Sequence, residues 1–214
     1  MLIDKNALLQ LISSSKPVTG IIHVGAHDCE EMDFYVNNLE LSKTNIYWVD
    51  AFQEKVDRAR RLNIPNVYQG VISNKDNETV MFNIANNMQS SSILPFGTHS
   101  AAYPSIKYIG QRPLKTSTLD MFVEKNGIDI SICNFWNFDI QGAELMALQG
   151  APNSLKYADY LYLEVNAKRL YEGCALIPEL NAFLETHGFQ MALHIMTGAG
   201  WGDAVYVRKT PNKE

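Results

Sequence analysis

Asp50, Asp139 and Glu164 are the carboxylates of this 214-residue chain best placed to do chemistry, because each ends or sits within a short apolar run. A first run, Gly20 to Val24, passes into Gly25, Ala26, His27 and Asp28; a second ends at Asp50. In an open α/β sheet the first strand-to-helix turn brings backbone N–H groups to a nucleotide-like ligand, and an acid at the next strand end accepts hydrogen bonds from ribose hydroxyls. A diphosphate cradle needs three glycines, and only Gly25 is present, so an NAD-type ligand fits poorly. An adenosine-type ligand without diphosphate fits, and S-adenosylmethionine (SAM) is one. Taken singly, Gly25 also reads as a ligand-free turn and Asp50 as a solvated acid. A fourth run ends in Asp139, Ile140, Gln141 and Gly142, and a fifth carries Glu164 and Asn166. These polar groups converge where open sheets bind ligands. They serve as a general base, as an oxygen-rich site for a divalent metal such as Mg (Asp139, Glu164, Asn166), or only as helix and loop anchors. Glu144 reads as a helix-start residue.

The elements that must position these groups follow from the same runs. Apolar segments near 20–24, 45–49, 66–69, 133–138 and 160–165 alternate with helical stretches near 29–39, 54–62 and from 143. Strands apolar on both faces and separated by helices predict a mostly parallel open sheet with helices on both faces. Residues 78–84 alternate as an edge strand, and 177–185 as a helix. Segments 189–196 and 204–208, joined by a short glycine-rich link, predict a C-terminal antiparallel hairpin. The polar segment 86–104 is too long for a bare connection and is expected to be a substrate lid. Residues 1–17 read as a surface helix capped by Asp4 and ended by Pro17. No linker divides the chain, so one domain over 1–214 is expected.

Composition narrows the function classes. Lys and Arg number 18 against 23 Asp and Glu, a net charge of −5 with no long basic run, which argues against a nucleic-acid partner. No run is long and apolar enough to span a bilayer. Three scattered cysteines, Cys29, Cys133 and Cys174, make neither a disulfide framework nor a metal pair, so a cytoplasmic setting is the default. His23 and His27 stand four apart but bracket a turn, which disfavours a helical zinc pair. His23 reads as a core histidine, and His99 as a solvent-exposed loop histidine first and as one that reaches an acceptor second. Trp201 beside Asp203 reads either as a sugar platform or as hairpin cover for the core, and the basic run 55–61 as a solvated helix face.

The segments Ile22 to His27, Phe138 to Leu145, Ala147 to Ala151 and Leu163 to Asn166 resemble those of the FkbM family of SAM-dependent methyltransferases. Ser90, Ser91 and Ser92, and the stretch from Trp201 to Ala204, also resemble family segments. The similarity spans about residues 19–208. It implies a class I, Rossmann-like SAM-methyltransferase fold with SAM as cofactor, and O-methylation of a sugar, glycan or polyketide-type hydroxyl. By position, Gly25, Ala26 and His27 would line the methionine end of SAM. Asp50 would bind the ribose, Val71, Ile72 and Ser73 would flank the adenine, and Ala51, Phe52 and Gln141 would join the cofactor contacts. Asp139 would face the transferred methyl and act as base, with Glu164 second. Ser91, His99, Trp201 and Asp203 would meet the acceptor. Departures stand at His23, His27, Asp50-Ala51, Asn137 and Gln141, where the family more often has Asp, Asn, Glu-Pro, Lys and Glu. None removes the ribose acid or Asp139. A sugar or glycoconjugate acceptor leads, ahead of a small natural product and of a non-catalytic relative that only keeps the fold; a homo-oligomer is left open.

Overall fold

A computed structural model describes residues 1–209. In chain order its strands are β1 (Ile21–Val24), β2 (Ile46–Asp50), β3 (Val67–Gln69), β4 (Val71–Ile72), β5 (Thr79–Ala85), β6 (Tyr108–Ser117), β7 (Phe135–Phe138), β8 (Tyr160–Asn166), β9 (Phe189–Met196) and β10 (Trp201–Arg208). The α-helices are α1 (Lys5–Ser13), α2 (Gln53–Arg61), α3 (His99–Ala102), α4 (Leu119–Lys125), α5 (Glu144–Gln149) and α6 (Ile177–Thr186).

Seven strands form one sheet in the order β3-β2-β1-β7-β8-β10-β9. The first five are parallel, and β10 runs antiparallel between β8 and β9, closing with the expected hairpin. Successive strand residues face opposite sides of a sheet, and the two cores show it. Ile21, Phe135, Tyr160 and Tyr162 pack with Leu8 and Ile12 of α1 and Val56 of α2. Their neighbours Ile22, Trp136, Leu161 and Leu163 pack with Phe122 of α4, Leu148 of α5 and Leu184 of α6. Burial on both faces is why β1, β7 and β8 read as unbroken apolar runs. Among the described residues no helix is long and apolar enough to cross a membrane.

Several boundaries differ from the sequence reading. The N-terminal helix is only α1, with Asp4 capping Ala7 N–H as expected. The helix foreseen over 29–39 shrinks to a short segment ending in a π-turn, Phe34–Asn38, because His27 (φ 45°) and Cys29 (φ 57°) are left-handed and break its start. Helix α4 is an addition to the sequence reading, although Leu119, Phe122 and Val123 carry helical spacing, whereas strand β6 carries no apolar rhythm because most of it is exposed. It pairs with β5 and β4 in a second sheet of order β4-β6-β5. Segment 86–107, between β5 and β6, is packed rather than loose. The Phe96 ring stacks on His99 at 4.1 Å and on Tyr108 at 3.8 Å, and Asn83 and Ser92 exchange backbone hydrogen bonds.

Candidate active site

The carboxyl ends of β1, β2, β7 and β8 meet beneath segment 86–107 and enclose two cavities. The narrower one, about 70 Å³, runs from Gly25 past Asp50, Phe52, Val71 and Ile72. The wider, about 460 Å³, is bounded by Glu31, Glu164, Tyr171, His99, Tyr103 and Trp201. Gly25, His27, Gln89, Asp139 and Gln141 line both, so Asp139 stands at their junction.

Gly25 is required by the fold itself. Its φ is +89°, and a Cβ there would lie 1.8 Å from the Asp139 carbonyl oxygen on the adjoining strand end. The turn is held from the other side too, since Gly25 and Ala26 N–H both donate to Val49 O. Asp50 is buried and accepts two backbone hydrogen bonds, from His27 N–H at Oδ2 and Phe52 N–H at Oδ1, both 2.7 Å. Burial raises its pKa, and the two bonds oppose that rise. They leave about two of its four lone-pair sites for a ligand. Phe52 meets Phe82 edge-on at 5.3 Å, giving the cleft an aromatic wall.

The junction is a hydrogen-bonded set. Gln141 Nε2 donates to Asp139 Oδ1 at 2.6 Å and to Glu164 Oε2 at 2.8 Å, while its Oε1 accepts from the Tyr171 hydroxyl at 2.5 Å. This fixes the amide orientation, because the reverse would set its oxygen against two carboxylates. Burial pushes the Tyr171 phenol far up, so it stays a donor. Asp139 is open to the cavities at its own surface but ringed by protein beneath, and that enclosure pushes its pKa up to about 6. Glu164, buried and beside Asp139, is raised further above the ordinary carboxylate range. Glu144 is also buried and lifted to about 7. Its Oε1 accepts from Ile140 and Gly142 N–H, so it anchors the β7–α5 turn as expected.

Most sequence-chosen residues come together here, with exceptions. Gly25, His27, Asp50, Ala51, Phe52, Val71, Ile72, Asp139 and Gln141 line the narrow cavity; Ala26 and Ser73, both buried, line neither. Ser91, chosen for the acceptor, lines the narrow cavity and its hydroxyl accepts Ala85 N–H; its neighbour Ser90 lines the wide one. Trp201 and His99 line the wide cavity, and His99 is buried by its stack on Phe96 rather than solvated. Asp203 lines neither cavity. Its carboxylate accepts from Leu2 N–H and the Tyr162 hydroxyl, so it braces the sheet edge. Asn166, the third member of the conditional metal set, is buried outside both cavities. Among the described residues a different trio, His27, Asp28 and Glu30, brings three potential ligand atoms together, but Lys55 and Arg58 already neutralise Asp28.

Residues not foreseen include Tyr171, Glu31, Met88 and Ile93. Met88 and Ile93, apolar residues in a polar stretch, carried a signal; Tyr171 and Glu31 did not. His23 is a buried histidine within a His23–Tyr35–Asn137 hydrogen-bonded chain, which accounts for the uncharged Asn137.

A seven-stranded sheet with a terminal antiparallel pair and a ligand cleft at its carboxyl edge is the class I SAM-methyltransferase fold. The sequence profile of the methyltransferase FkbM domain matches residues 23–191, and the chain belongs to that family. Its cofactor is accordingly SAM. No curated protein matches the sequence. The crystal structure of methyltransferase FkbM from Methylobacillus flagellatus KT superposes with a TM-score of 0.51 at 12% identity, covering 89% of this chain and 44% of that one. The chain thus spans less than half of that protein's length. Magnesium protoporphyrin IX methyltransferase from Synechocystis PCC 6803, solved with bound SAM, gives 0.47 at 13% identity, covering 96% and 78%.

Proposed function

We propose that this chain is a SAM-dependent O-methyltransferase acting on a hydroxyl of a sugar or glycoconjugate. The observation that carries this reading is the position of Asp139, on the wall shared by a narrow cleft and a wide one. The narrow cleft suits the cofactor. Asp50 would take the ribose hydroxyls, Phe52, Ile72 and Phe82 the base, and the Gly25–His27 turn the methionine end. The open volume there holds on the order of five waters, so Met88 and Gln89 of segment 86–107 must draw back to admit a nucleoside.

The donor supplies an electrophilic sulfonium methyl when bound. The chain's part is to hold the acceptor oxygen in line and to take its proton. Asp139, with a pKa near 6, is ionised at neutral pH yet basic enough to accept that proton. Glu164, pushed well above the ordinary carboxylate range by burial and by Asp139 beside it, accepts from Gln141 Nε2 and flanks the base. The wide cavity presents Trp201 and Tyr103, joined by a 2.7 Å hydrogen bond, as an amphipathic face for a sugar ring. Neither Lys nor Arg lines it, whereas Glu30, Glu31, Asp139 and Glu164 do. Neutral polyols suit such a wall and phosphorylated ones do not.

The test is incubation of wild type and Asp139→Asn with methyl-labelled SAM and a panel of neutral and phosphorylated sugars. Label is expected on a hydroxyl of a neutral sugar, falling 10²–10⁴-fold in the variant. Label on carbon or nitrogen, or an undiminished rate in Asp139→Asn, would overturn the proposal.

A further inference from the structure

We propose that Gln141 is the positioning residue of the transfer centre, and that its side-chain NH₂ stands where a divalent cation would otherwise bridge Asp139 and Glu164. The assignment of methyl transfer to Asp139 is the reading it rests on. Both amide hydrogens are engaged, one by each acid, and the amide oxygen is engaged by Tyr171. Three elements are therefore tied through one side chain: the end of β7, strand β8 and the segment after it.

The backbone is shaped to deliver this side chain. Gln141 has φ +57°, a conformation unfavourable for a residue with a Cβ, and Gly142 follows at +97°. The strain is held by the Ser92 hydroxyl donating to Gln141 O at 2.8 Å and by Glu144 gripping the N–H groups on either side. Gly142 lets the turn close on Tyr171 and Cys174, where a Cβ would come within 3.1 and 2.9 Å of their β-carbons.

Magnesium demands oxygen ligands in near-octahedral array. Between Asp139 and Glu164 it would meet N–H hydrogens, which carry positive partial charge and offer no lone pair. The amide gives the acid pair what a cation gives, a shared positive partner, without demanding that both acids be ionised. Asn166, the remaining oxygen donor considered, lies outside the cavities.

Manganese is the probe, followed by its paramagnetic resonance signal, with S-adenosylhomocysteine calorimetry run beside it. Wild type is expected to take up no Mn²⁺ below about 1 mM, whereas Gln141→Glu, which places a third carboxylate at the junction, binds one equivalent at least tenfold more tightly. Adding Asp139→Asn to that variant removes the gain. Stoichiometric binding by wild type that disappears in Asp139→Asn overturns the proposal, as does a folded Gln141→Glu variant that binds none. If Gln141→Glu does not fold, the wild-type side-chain amide signals decide. The Gln141 pair, assigned by its loss in Gln141→Leu, is expected well removed from the other glutamine amides, and a pair at the ordinary position overturns the proposal. Failure of S-adenosylhomocysteine to bind would strike the cofactor reading and leave the metal result standing.

Discussion

Replacing Asp50 by alanine separates a cofactor-binding acid from a merely structural one. In the folded chain its two oxygens accept His27 and Phe52 N–H, and the remaining acceptor capacity faces the narrow cleft. A hydrogen bond to a charged acceptor contributes about 1.5–3 kcal/mol net. Two ribose hydroxyls therefore draw about 3 kcal/mol from this carboxylate at the low end, which corresponds to roughly a 100-fold change in Kd. Alanine also strips two backbone donors of their partner. Water entering from the cleft replaces much of that loss, leaving about 1–2 kcal/mol, or about 2–8 °C in Tm for a chain of this size. Calorimetric titration with S-adenosylhomocysteine, paired with thermal melting, reads both effects. Asp50→Asn retains one acceptor and should fall between wild type and alanine. A folded Asp50→Ala protein that binds with wild-type affinity would refute the placement of the ribose.

Turnover should decline as pH falls through about 6, where Asp139 takes up a proton; an activity profile flat from pH 5 to 8 would exclude it as base. Glu144 holds a proton in the folded chain up to about pH 7, against an ordinary 4.5, so its contribution to stability is greatest in acid and lost as pH rises through that window. Glu144→Gln keeps the oxygen that caps Ile140 and Gly142, and should match wild type near pH 4.5 while melting higher at pH 8, by on the order of 2–3 kcal/mol. Gly25→Ala drives a methyl into the Asp139 carbonyl, and is expected to yield little folded protein by circular dichroism; a native-like melt would show that the two strand ends can part.

The sheet was legible because its central strands are buried on both sides, so Ile21–Val24 and Tyr160–Asn166 advertise themselves as unbroken apolar runs. Asp50 and Asp139 were legible for a related reason: an acid closing such a run must sit at the sheet's edge. What the sequence concealed depends on contacts between distant segments. Asp203 looks like a partner for Trp201, yet in β10 it faces opposite Glu164 and is claimed by Tyr162 and Leu2. Tyr171 carries no spacing signal, and only the path of the chain after β8 brings it to Gln141. Segment 86–107 reads as polar cover because its order comes from a few aromatic stacks and serine hydrogen bonds rather than from any period. The left-handed residues His27 and Cys29 lack the glycine that usually announces such a turn.

One stretch of chain between β5 and β6 supplies Met88 and Ile93 to the narrow cavity, Tyr103 and His99 to the wide one, and Gln89 to both. A wall shared in this way cannot recede from one occupant while keeping its hold on the other. If the narrow cavity takes the donor and the wide one the acceptor, as proposed, the two would not exchange with solvent independently, because the same segment encloses both. Changing what the wide cavity admits would involve this excursion together with Trp201 and Tyr171, which lie outside it.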